Sequence, residues 1–354
     1  MEIALKLIIG LIAIILGANY MVNSSVALAK RFNISDMVIG MTLVAIGTSA
    51  PEIVVSIVGA VGGSPSIALG NVYGSNICNI LLIFGLTTII SPIIITSSNK
   101  KMEIPALLFA TLLTTLFVIT SQNINRLEGA ILLLCGIGFL AYSYYITKKE
   151  KELNHSFSNS YENMESRESR ENTENTENTE NIDNRENKVE TDSSIPQIFR
   201  KIYQKKSFIP IAVSLFILSC AVLIWGGNLF VNGAKQLAEK IGMSQMVIAA
   251  TIIAIGTSLP ELATSVVAAI KKNSGIALGN IVGSNIINIS FALGASGLIN
   301  PLQGSVEQVH TIFFLLSAIL LFIFALTAKK RIYFHTYGII FLIMYIIYIY
   351  LIIT

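Results

Sequence analysis

Charged residues are scarce in this chain of 354 residues. Only 13% of the residues are Asp, Glu, Lys or Arg, whereas 53% are hydrophobic. Soluble domains carry about 25% charged residues, so this composition excludes an ordinary soluble protein. It indicates a polytopic membrane protein.

Cysteine and histidine are also rare, with three of each. The cysteines lie far apart in apolar segments, which excludes a disulfide framework and favours small buried hydrophobic residues. They are Cys78, Cys135 and Cys220. The histidines, which lie outside the motifs described below, are His155, His310 and His335. Transport of zinc, copper or iron is therefore not expected. Because there is also no nucleophile–base pair, we expect no enzyme.

The chain contains two copies of one polar pattern, 209 residues apart. Residues 45–52 (AIGTSAPE) return as residues 254–261 (AIGTSLPE), and residues 68–79 return without a gap as residues 277–288. Each copy places one acid with amides, hydroxyls and glycines in otherwise apolar sequence. A duplicated polar cluster in a membrane protein is typical of a transporter whose site lies between two halves.

The apolar segments predict an all-α fold with ten transmembrane helices, since a spanning helix needs about 20 mostly apolar residues. The predicted spans are 4–29, 37–61, 66–91, 102–121, 127–147, 208–234, 245–270, 275–299, 306–328 and 332–353. Five spans in each half is an odd number, so the halves insert as inverted-topology repeats. The predicted domains are an N-terminal repeat (1–147, with its motif in 36–93), a linker (148–207) and a C-terminal repeat (208–354, with its motif in 245–302).

The distribution of basic residues predicts the orientation. Those near one face of the membrane are Lys30, Arg31, Lys100, Lys101, Lys148, Lys149, Lys151, Arg200, Lys201, Lys205, Lys206, Lys271, Lys272, Lys329, Lys330 and Arg331. On the other face there are only Lys6, Arg126, Lys235 and Lys240. The positive-inside rule then places the linker in the cytoplasm and both termini outside the cytoplasmic membrane. Within the linker, residues 171–180 are low in complexity and nearly free of hydrophobic residues, so we expect this segment to be disordered.

Glu52 and Glu261 are the central residues of the two patterns. Each lies within a predicted span, where an ionised carboxylate costs several kcal/mol unless it faces a cavity, a partner or a cation. A structural ion pair is the alternative, but the surrounding spans contain no Lys or Arg. Two acids at equivalent places in inverted halves would meet near the middle of the membrane. They predict a cation site.

The neighbouring residues supply further oxygen atoms. Breaks at Gly47, Pro51, Gly256 and Pro260 would interrupt the helices and free main-chain carbonyls near Ala45 and Ala254. The hydroxyl and amide candidates are Thr48, Ser49, Ser75, Asn79, Thr257, Ser258, Ser284 and Asn288, although a mid-helix Ser or Thr can instead bond to its own helix. We expect Asn71, Asn76, Asn280 and Asn285 to brace helices. An oxygen-only set suits hard cations, and calcium or sodium is favoured over magnesium because magnesium sheds water reluctantly.

At these residues the chain resembles the prokaryotic sodium/calcium exchangers of the calcium/cation antiporter superfamily. Residues 47–52 and 256–261 resemble the first parts of the two family repeats, and residues 70–79 and 279–288 resemble the second parts. The resemblance implies electrogenic exchange of about three sodium ions for one calcium ion at one site with alternating access. It also implies that the first span of each half slides against the ligand-bearing bundle.

The resemblance assigns ligands position by position. The implied calcium ligands are Glu52, Glu261, Thr48 and Thr257. The implied sodium positions combine those four residues with Ala45, Ser49, Ser75, Asn79, Ala254, Ser258, Ser284 and Asn288. Potassium-dependent relatives carry Asp where this chain has Asn288, so we expect potassium independence.

Three other functions compete with sodium/calcium exchange. A calcium/proton antiporter would need only the two acids, and the many Ser, Thr and Asn oxygens favour sodium instead. A passive channel fits a closed, nearly symmetric cluster poorly, and a membrane-embedded enzyme has no supporting motif. We expect calcium, sodium and the lipid bilayer to be the partners, with no cofactor, nucleic acid or obligate protein partner.

Overall fold

The computed structural model describes residues 2–63, 65–93, 95–96, 99–121, 123–145, 196–200, 202–205, 207–242, 254–303, 307–327 and 332–353. Most of the predicted linker lies outside these described residues, so the expectation of disorder there stays a prediction. Within the described ranges the chain is almost entirely helical.

The first half contains six helices and a short strand. They are α1 (Glu2–Phe32), α2 (Asp36–Thr48), α3 (Ala50–Val61), α4 (Pro65–Ile90), α5 (Ile104–Ser121), β1 (Asn123–Ile124) and α6 (Arg126–Tyr145). A π-helical turn, Asn99–Glu103, precedes α5. Among the described residues of the linker, one short helix is α7 (Gln197–Arg200).

The second half repeats the order of the helices, whereas its strand comes one span earlier. Its elements are α8 (Phe208–Lys240), α9 (Ala254–Thr257), α10 (Leu259–Ile270), α11 (Ser274–Ile299), β2 (Leu302–Gln303), α12 (Gln308–Thr327) and α13 (Ile332–Ile353). The two strands pair antiparallel, with Asn123 opposite Gln303 and Ile124 opposite Leu302, and so join the two halves.

The number of spans can be compared with the predicted ten. Among the described residues, eight helices are long and apolar enough to cross a membrane, and α2 with α3 forms a ninth span bent by 48°. The tenth prediction, 245–270, is described only from Ala254 onward, as α9 and α10. The number of spans among the described residues is therefore lower than ten, because the first part of this span lies outside them.

Small residues bring the long first helices of the two halves into close contact. A Cβ at Gly10 of α1 would lie 2.7 Å from the main-chain nitrogen of Phe230, and one at Gly226 of α8 would lie 2.6 Å from the Cβ of Ala13. Without a strong hydrophobic drive between helices in lipid, such small residues allow the backbones to approach. The same device packs α11 on α2, where a Cβ at Gly279 would lie 2.5 Å from the Met37 carbonyl.

Candidate cation site

The bend between α2 and α3 places the first acid. Ser49 leaves the helical region with φ −84° and ψ 4°, and Pro51 lies in the first turn of α3. Proline has no N–H, so the carbonyl of Gly47, four residues earlier, loses its usual donor. Glu52 follows directly and is fully buried.

The sequence predicted that main-chain carbonyls near Ala45 are free of helical hydrogen bonds, but the carbonyl of Ala45 itself is not. It accepts the main-chain N–H of Ser49 at 2.9 Å and lies 3.4 Å from the Thr48 hydroxyl. The helix therefore continues for one hydrogen bond past Ala45, and the interruption caused by Pro51 falls on Gly47 instead.

The second half repeats this local structure. Ser258 adopts φ −89° and ψ 10° between α9 and α10, Pro260 lies in the first turn of α10, and Glu261 is fully buried. The main-chain N–H of Ser258 donates to the carbonyl of Ile255 at 3.1 Å. Ala254 begins this described segment, and Thr257 is half-buried whereas Thr48 is buried.

Side chains from the two halves meet at Glu261. The hydroxyl of Ser49 donates to Oε1 of Glu261 at 3.0 Å, and the hydroxyl of Ser284 lies 3.5 Å from the same oxygen. Residues 212 positions apart in the chain are thus in direct contact. The hydroxyl of Thr48 also crosses between the halves, donating to Oδ1 of Asn280 at 3.0 Å.

The carboxylates retain buried oxygen atoms without a hydrogen-bond partner among the described residues. These atoms are Oε1 and Oε2 of Glu52 and Oε2 of Glu261. None of the ion pairs among the described side chains includes Glu52 or Glu261. Because a buried carboxylate needs a compensating partner, these atoms fit a cation as their partner.

Two asparagines brace the helices that carry the acids. Nδ2 of Asn71 donates to the carbonyl of Glu52 and to the hydroxyl of Ser56, both at 3.0 Å. In the second half, Asn280 makes the equivalent contacts with the Glu261 carbonyl at 3.4 Å and with Ser265 at 2.9 Å. The bracing role expected for these asparagines is confirmed.

Ser56 and Ser265 were missed in the sequence, although a signal for them exists. Both are buried polar residues four positions after the acid, and they repeat at the same offset of 209. Asn76 and Asn285 complete the bracing set, since each donates to a carbonyl of its own helix, at 2.7 and 2.6 Å.

Asn79 and Asn288 belong to a different class of asparagine. Both are fully buried, and neither amide oxygen nor amide nitrogen has a hydrogen-bond partner among the described residues. They lie in the π-helical turns Cys78–Phe84 of α4 and Asn288–Leu293 of α11. Such turns are rare and frequently mark functional sites.

Hydrogen bonds join Thr48 and Ser49 of the first half with Glu261, Asn280 and Ser284 of the second half. Glu52, Asn79 and Asn288 add buried oxygen atoms that have no hydrogen-bond partner among the described residues. Ser75 and Ser284 lie one turn before the unpartnered asparagines and are buried, as are Ser49 and Ser258. Oxygen atoms in such numbers bind hard cations, and calcium accepts six to eight of them in a flexible shell. The fold and the site together define a membrane transporter for cations.

Comparison with known proteins identifies the family. The family model described as "sodium/calcium exchanger protein" matches residues 3–145 and 211–354. This chain belongs to that family, and the resemblance found in the sequence is confirmed.

Relatives in the family match most of the chain. The sodium/calcium exchanger MaX1 of Methanosarcina acetivorans is 36% identical over 84% of this chain and 83% of its own length. The putative antiporter CaxA of Alkalimonas amylolytica is 36% identical over 83% of this chain and 80% of its own. An uncharacterized membrane protein of Methanocaldococcus jannaschii is 33% identical over 96% of this chain and 94% of its own.

A solved structure confirms the fold. The sodium-calcium exchanger NCX_Mj, soaked with 10 mM Na⁺ and zero Ca²⁺, superposes with a TM-score of 0.74 at 30% identity, covering 98% of this chain and 97% of that one. The predicted fold of ten helices in two inverted repeats agrees with this match. The protein is a multi-pass membrane transporter rather than an enzyme.

Proposed function

We propose that this protein is a secondary active antiporter that exchanges sodium for calcium across the cytoplasmic membrane by alternating access. The observation that carries the proposal is the pair of fully buried glutamates with unpartnered oxygens, in a site whose donors are all oxygen atoms. Relatives named as sodium/calcium exchangers support sodium and calcium as the two ions.

The proposed calcium ligands are Glu52, Glu261, Thr48 and Thr257. The proposed sodium positions share these residues and add Ala45, Ser49, Ser75, Asn79, Ala254, Ser258, Ser284 and Asn288. The contacts of Ser49 and Ser284 with Glu261 support this set, because they bring donors from both halves to one carboxylate.

Charge arithmetic supports mutual exclusion of the two ions. Two ionised glutamates give the site about −2 charges, which one calcium ion neutralises. Sodium ions on the same oxygens would repel calcium, so the site binds either sodium ions or one calcium ion at a time. With about three sodium ions per calcium ion, one net charge crosses in each cycle, and the membrane potential drives sodium inward and calcium outward.

The remaining parts of the proposal concern organisation. Residues 1–147 and 208–354 act as the two repeats, residues 148–207 form a cytoplasmic linker, and both termini lie outside. The first helices, α1 and α8, slide against the other helices to expose the site to alternate sides. Asn288 in place of an acid makes exchange independent of potassium.

Transport into proteoliposomes tests the proposal. Vesicles loaded with sodium are diluted into buffer that contains calcium-45 but neither sodium nor potassium. We expect calcium uptake that requires the sodium gradient and that falls to background in Glu52→Gln and Glu261→Gln. Glu307→Gln is the matched control, because its carboxylate is 75% exposed and lies outside the site.

The alternative outcomes separate the competing functions. Uptake driven by a pH gradient without sodium would replace the proposal with calcium/proton antiport. Calcium flux that ignores both gradients would contradict antiport altogether.

A further inference from the structure

Lys271 links the helix that carries Glu261 to the first helix of the chain. It caps the C-terminus of α10. Its Nζ lies 3.1 Å from the carbonyl oxygen of Asn19 and 2.6 Å from Oδ1 of Asn23, both on α1. A lysine amine is ordinarily protonated at neutral pH, so Nζ of Lys271 can donate to both acceptors. A charged donor therefore joins a site helix to a helix that the proposed function requires to move.

The part of α1 near this contact is tightly packed. Between Met21 and Ala29 every residue except Asn23 is buried. The hydroxyl of Thr264 on α10 also approaches Sδ of Met21 at 3.4 Å. In the equivalent stretch of α8, from Phe230 to Ala238, only Gly233 and Ala238 are buried. The two helices are related by the repeat, but this stretch of α8 is less buried, although it still contacts α9, where a Cβ at Gly256 would lie 2.6 Å from Cγ2 of Val231.

The repeat duplicates both acceptor residues of the contact but not its donor. Asn19 and Asn23 return as Asn228 and Asn232, whereas the position equivalent to Lys271 is Gly62. The backbone is the same at both places: φ −76° and ψ 5° at Lys271, φ −74° and ψ 5° at Gly62. The donor is therefore missing at Gly62 because glycine has no side chain, and not because the backbone differs.

We propose that Lys271 is a one-sided latch that holds α1 against α10 and favours the state in which the site is closed to the cytoplasm. Lys271 and Lys272 lie at the end of α10 that the basic residues mark as cytoplasmic. When α1 slides to open that side, the contacts with Asn19 and Asn23 must break. The inference rests on the proposed function and adds a residue that sets its conformational equilibrium.

A latch of this kind changes the apparent affinities on the two sides in opposite directions. A ligand that binds only the state open to its side has an apparent affinity equal to its intrinsic affinity multiplied by the fraction of protein in that state. Loss of the latch populates the state open to the cytoplasm. The apparent KM for calcium then falls on the cytoplasmic side and rises, or stays unchanged, on the extracellular side.

The test measures calcium KM on each side of oriented proteoliposomes that contain the full chain. For Lys271→Met we expect the ratio of cytoplasmic to extracellular KM to fall about fivefold, the lower end of usual coupling effects, because solvent weakens the contacts of the exposed lysine. Lys272→Met is the matched control, since it removes the same charge from the neighbouring exposed position. Lys271→Arg keeps a charged donor and should retain most of the wild-type ratio.

A mirrored variant tests the same idea with the opposite sign. Gly62→Lys places a lysine at the equivalent cap, where it can reach Asn228 and Asn232 only when α8 docks. We expect the KM ratio to rise in this variant. A change in the amount of folded protein alters the maximal rate but leaves this ratio unchanged.

The outcomes are distinct. A lowered ratio in Lys271→Met that is absent in Lys272→Met supports the latch. Equal ratios in wild type, Lys271→Met and Lys272→Met, with sodium-driven uptake intact, overturn the latch and leave the proposed function standing. Absence of sodium-driven uptake in the wild-type protein overturns the proposed function itself.

Discussion

Individual asparagines in this site have two different physical roles. Asn280 is fully buried and is bonded to the Glu261 carbonyl, Ser265 and Thr48. Asn288, two turns further along the same helix, is equally buried but has no partner for its amide among the described residues. A buried polar group without a partner costs about 1–3 kcal/mol, so Asn288 is held at a cost to stability and Asn280 contributes to it.

Leucine substitutions should separate these two roles. In ion-free detergent solution we expect Asn288→Leu to leave the unfolding temperature unchanged or raised, because it replaces an unsatisfied amide by an apolar group of similar size. Asn280→Leu should destabilise the protein by about 1–3 kcal/mol, because it leaves the partners of the amide unpaired. Sodium-driven calcium uptake should be lost in Asn288→Leu although the protein is folded. Thermal unfolding together with uptake checks both variants, and a strongly destabilised Asn288→Leu would contradict the ligand role.

The sequence predicted most of the chemical groups at the site but few of their contacts. Glu52 and Glu261 could be found because an acid in an apolar span is costly and this one occurs twice. The contact of Ser49 with Glu261 could not be found, since the two residues are 212 positions apart and meet only when the two halves assemble. Lys271 gave no signal either, because a lysine at the end of a span is ordinary in a membrane protein.

At the scale of elements, glycines allow the helix that carries Asn288 to pack directly on the helix that leads to Glu52. A Cβ at Gly283 of α11 would lie 2.5 Å from the Met41 carbonyl oxygen and 2.6 Å from the Met41 Cα. Those atoms belong to the π-helical turn Gly40–Val44 of α2, so they are main chain and cannot rotate away. The close approach brings the two halves together beside the site.

Alanine at Gly283 should therefore disrupt the site through packing alone. We expect Gly283→Ala to lower stability by about 1–3 kcal/mol, the usual cost of overpacking, and to reduce uptake. Gly138→Ala on α6 is the control, since a Cβ there meets no described atom within 4 Å. Thermal unfolding of both variants gives the comparison. Equal stability would mean that α2 and α11 can separate without cost.

Helix positions could be predicted from the sequence, whereas their internal geometry could not. Long apolar runs locate α1, α4, α8 and α11 because lipid requires about 20 such residues. The π-helical turns at Cys78–Phe84 and Asn288–Leu293 have no signature in residue type, since they depend on packing against neighbouring helices. The bend at Ser49 could be predicted only in part, because Pro51 indicates a break in the helix but not its angle of 48°.

At the scale of the whole molecule, the two inverted repeats fit the proposed alternating access of one site to both sides of the membrane. Each half contains one acid, three hydroxyl side chains and one asparagine without a hydrogen-bond partner among the described residues, at equivalent positions. Under that proposal the two arrangements of the halves are close in energy, and a small asymmetric contact such as that of Lys271 biases their populations. A coupling of about 1–3 kcal/mol is sufficient to shift such an equilibrium measurably.

The net charge of the cycle gives the last prediction. In sodium-loaded vesicles, release of about three sodium ions for each calcium ion taken up moves one positive charge outward, so an inside-positive potential should accelerate uptake and an inside-negative one should slow it. The driving force changes by about 2.3 kcal/mol per 100 mV for each charge moved. Potassium gradients of either direction with valinomycin impose the two potentials, and calcium-45 uptake is compared between them.

The same potassium solutions without valinomycin serve as the control. Uptake should then be independent of potassium, because Asn288 is neutral where potassium-dependent relatives have an acid. Equal uptake at both potentials would show an electroneutral exchange and contradict the proposed ratio of ions. Uptake that requires potassium even without valinomycin would instead contradict the role assigned to Asn288, while leaving the two glutamates as the common site for the transported cations.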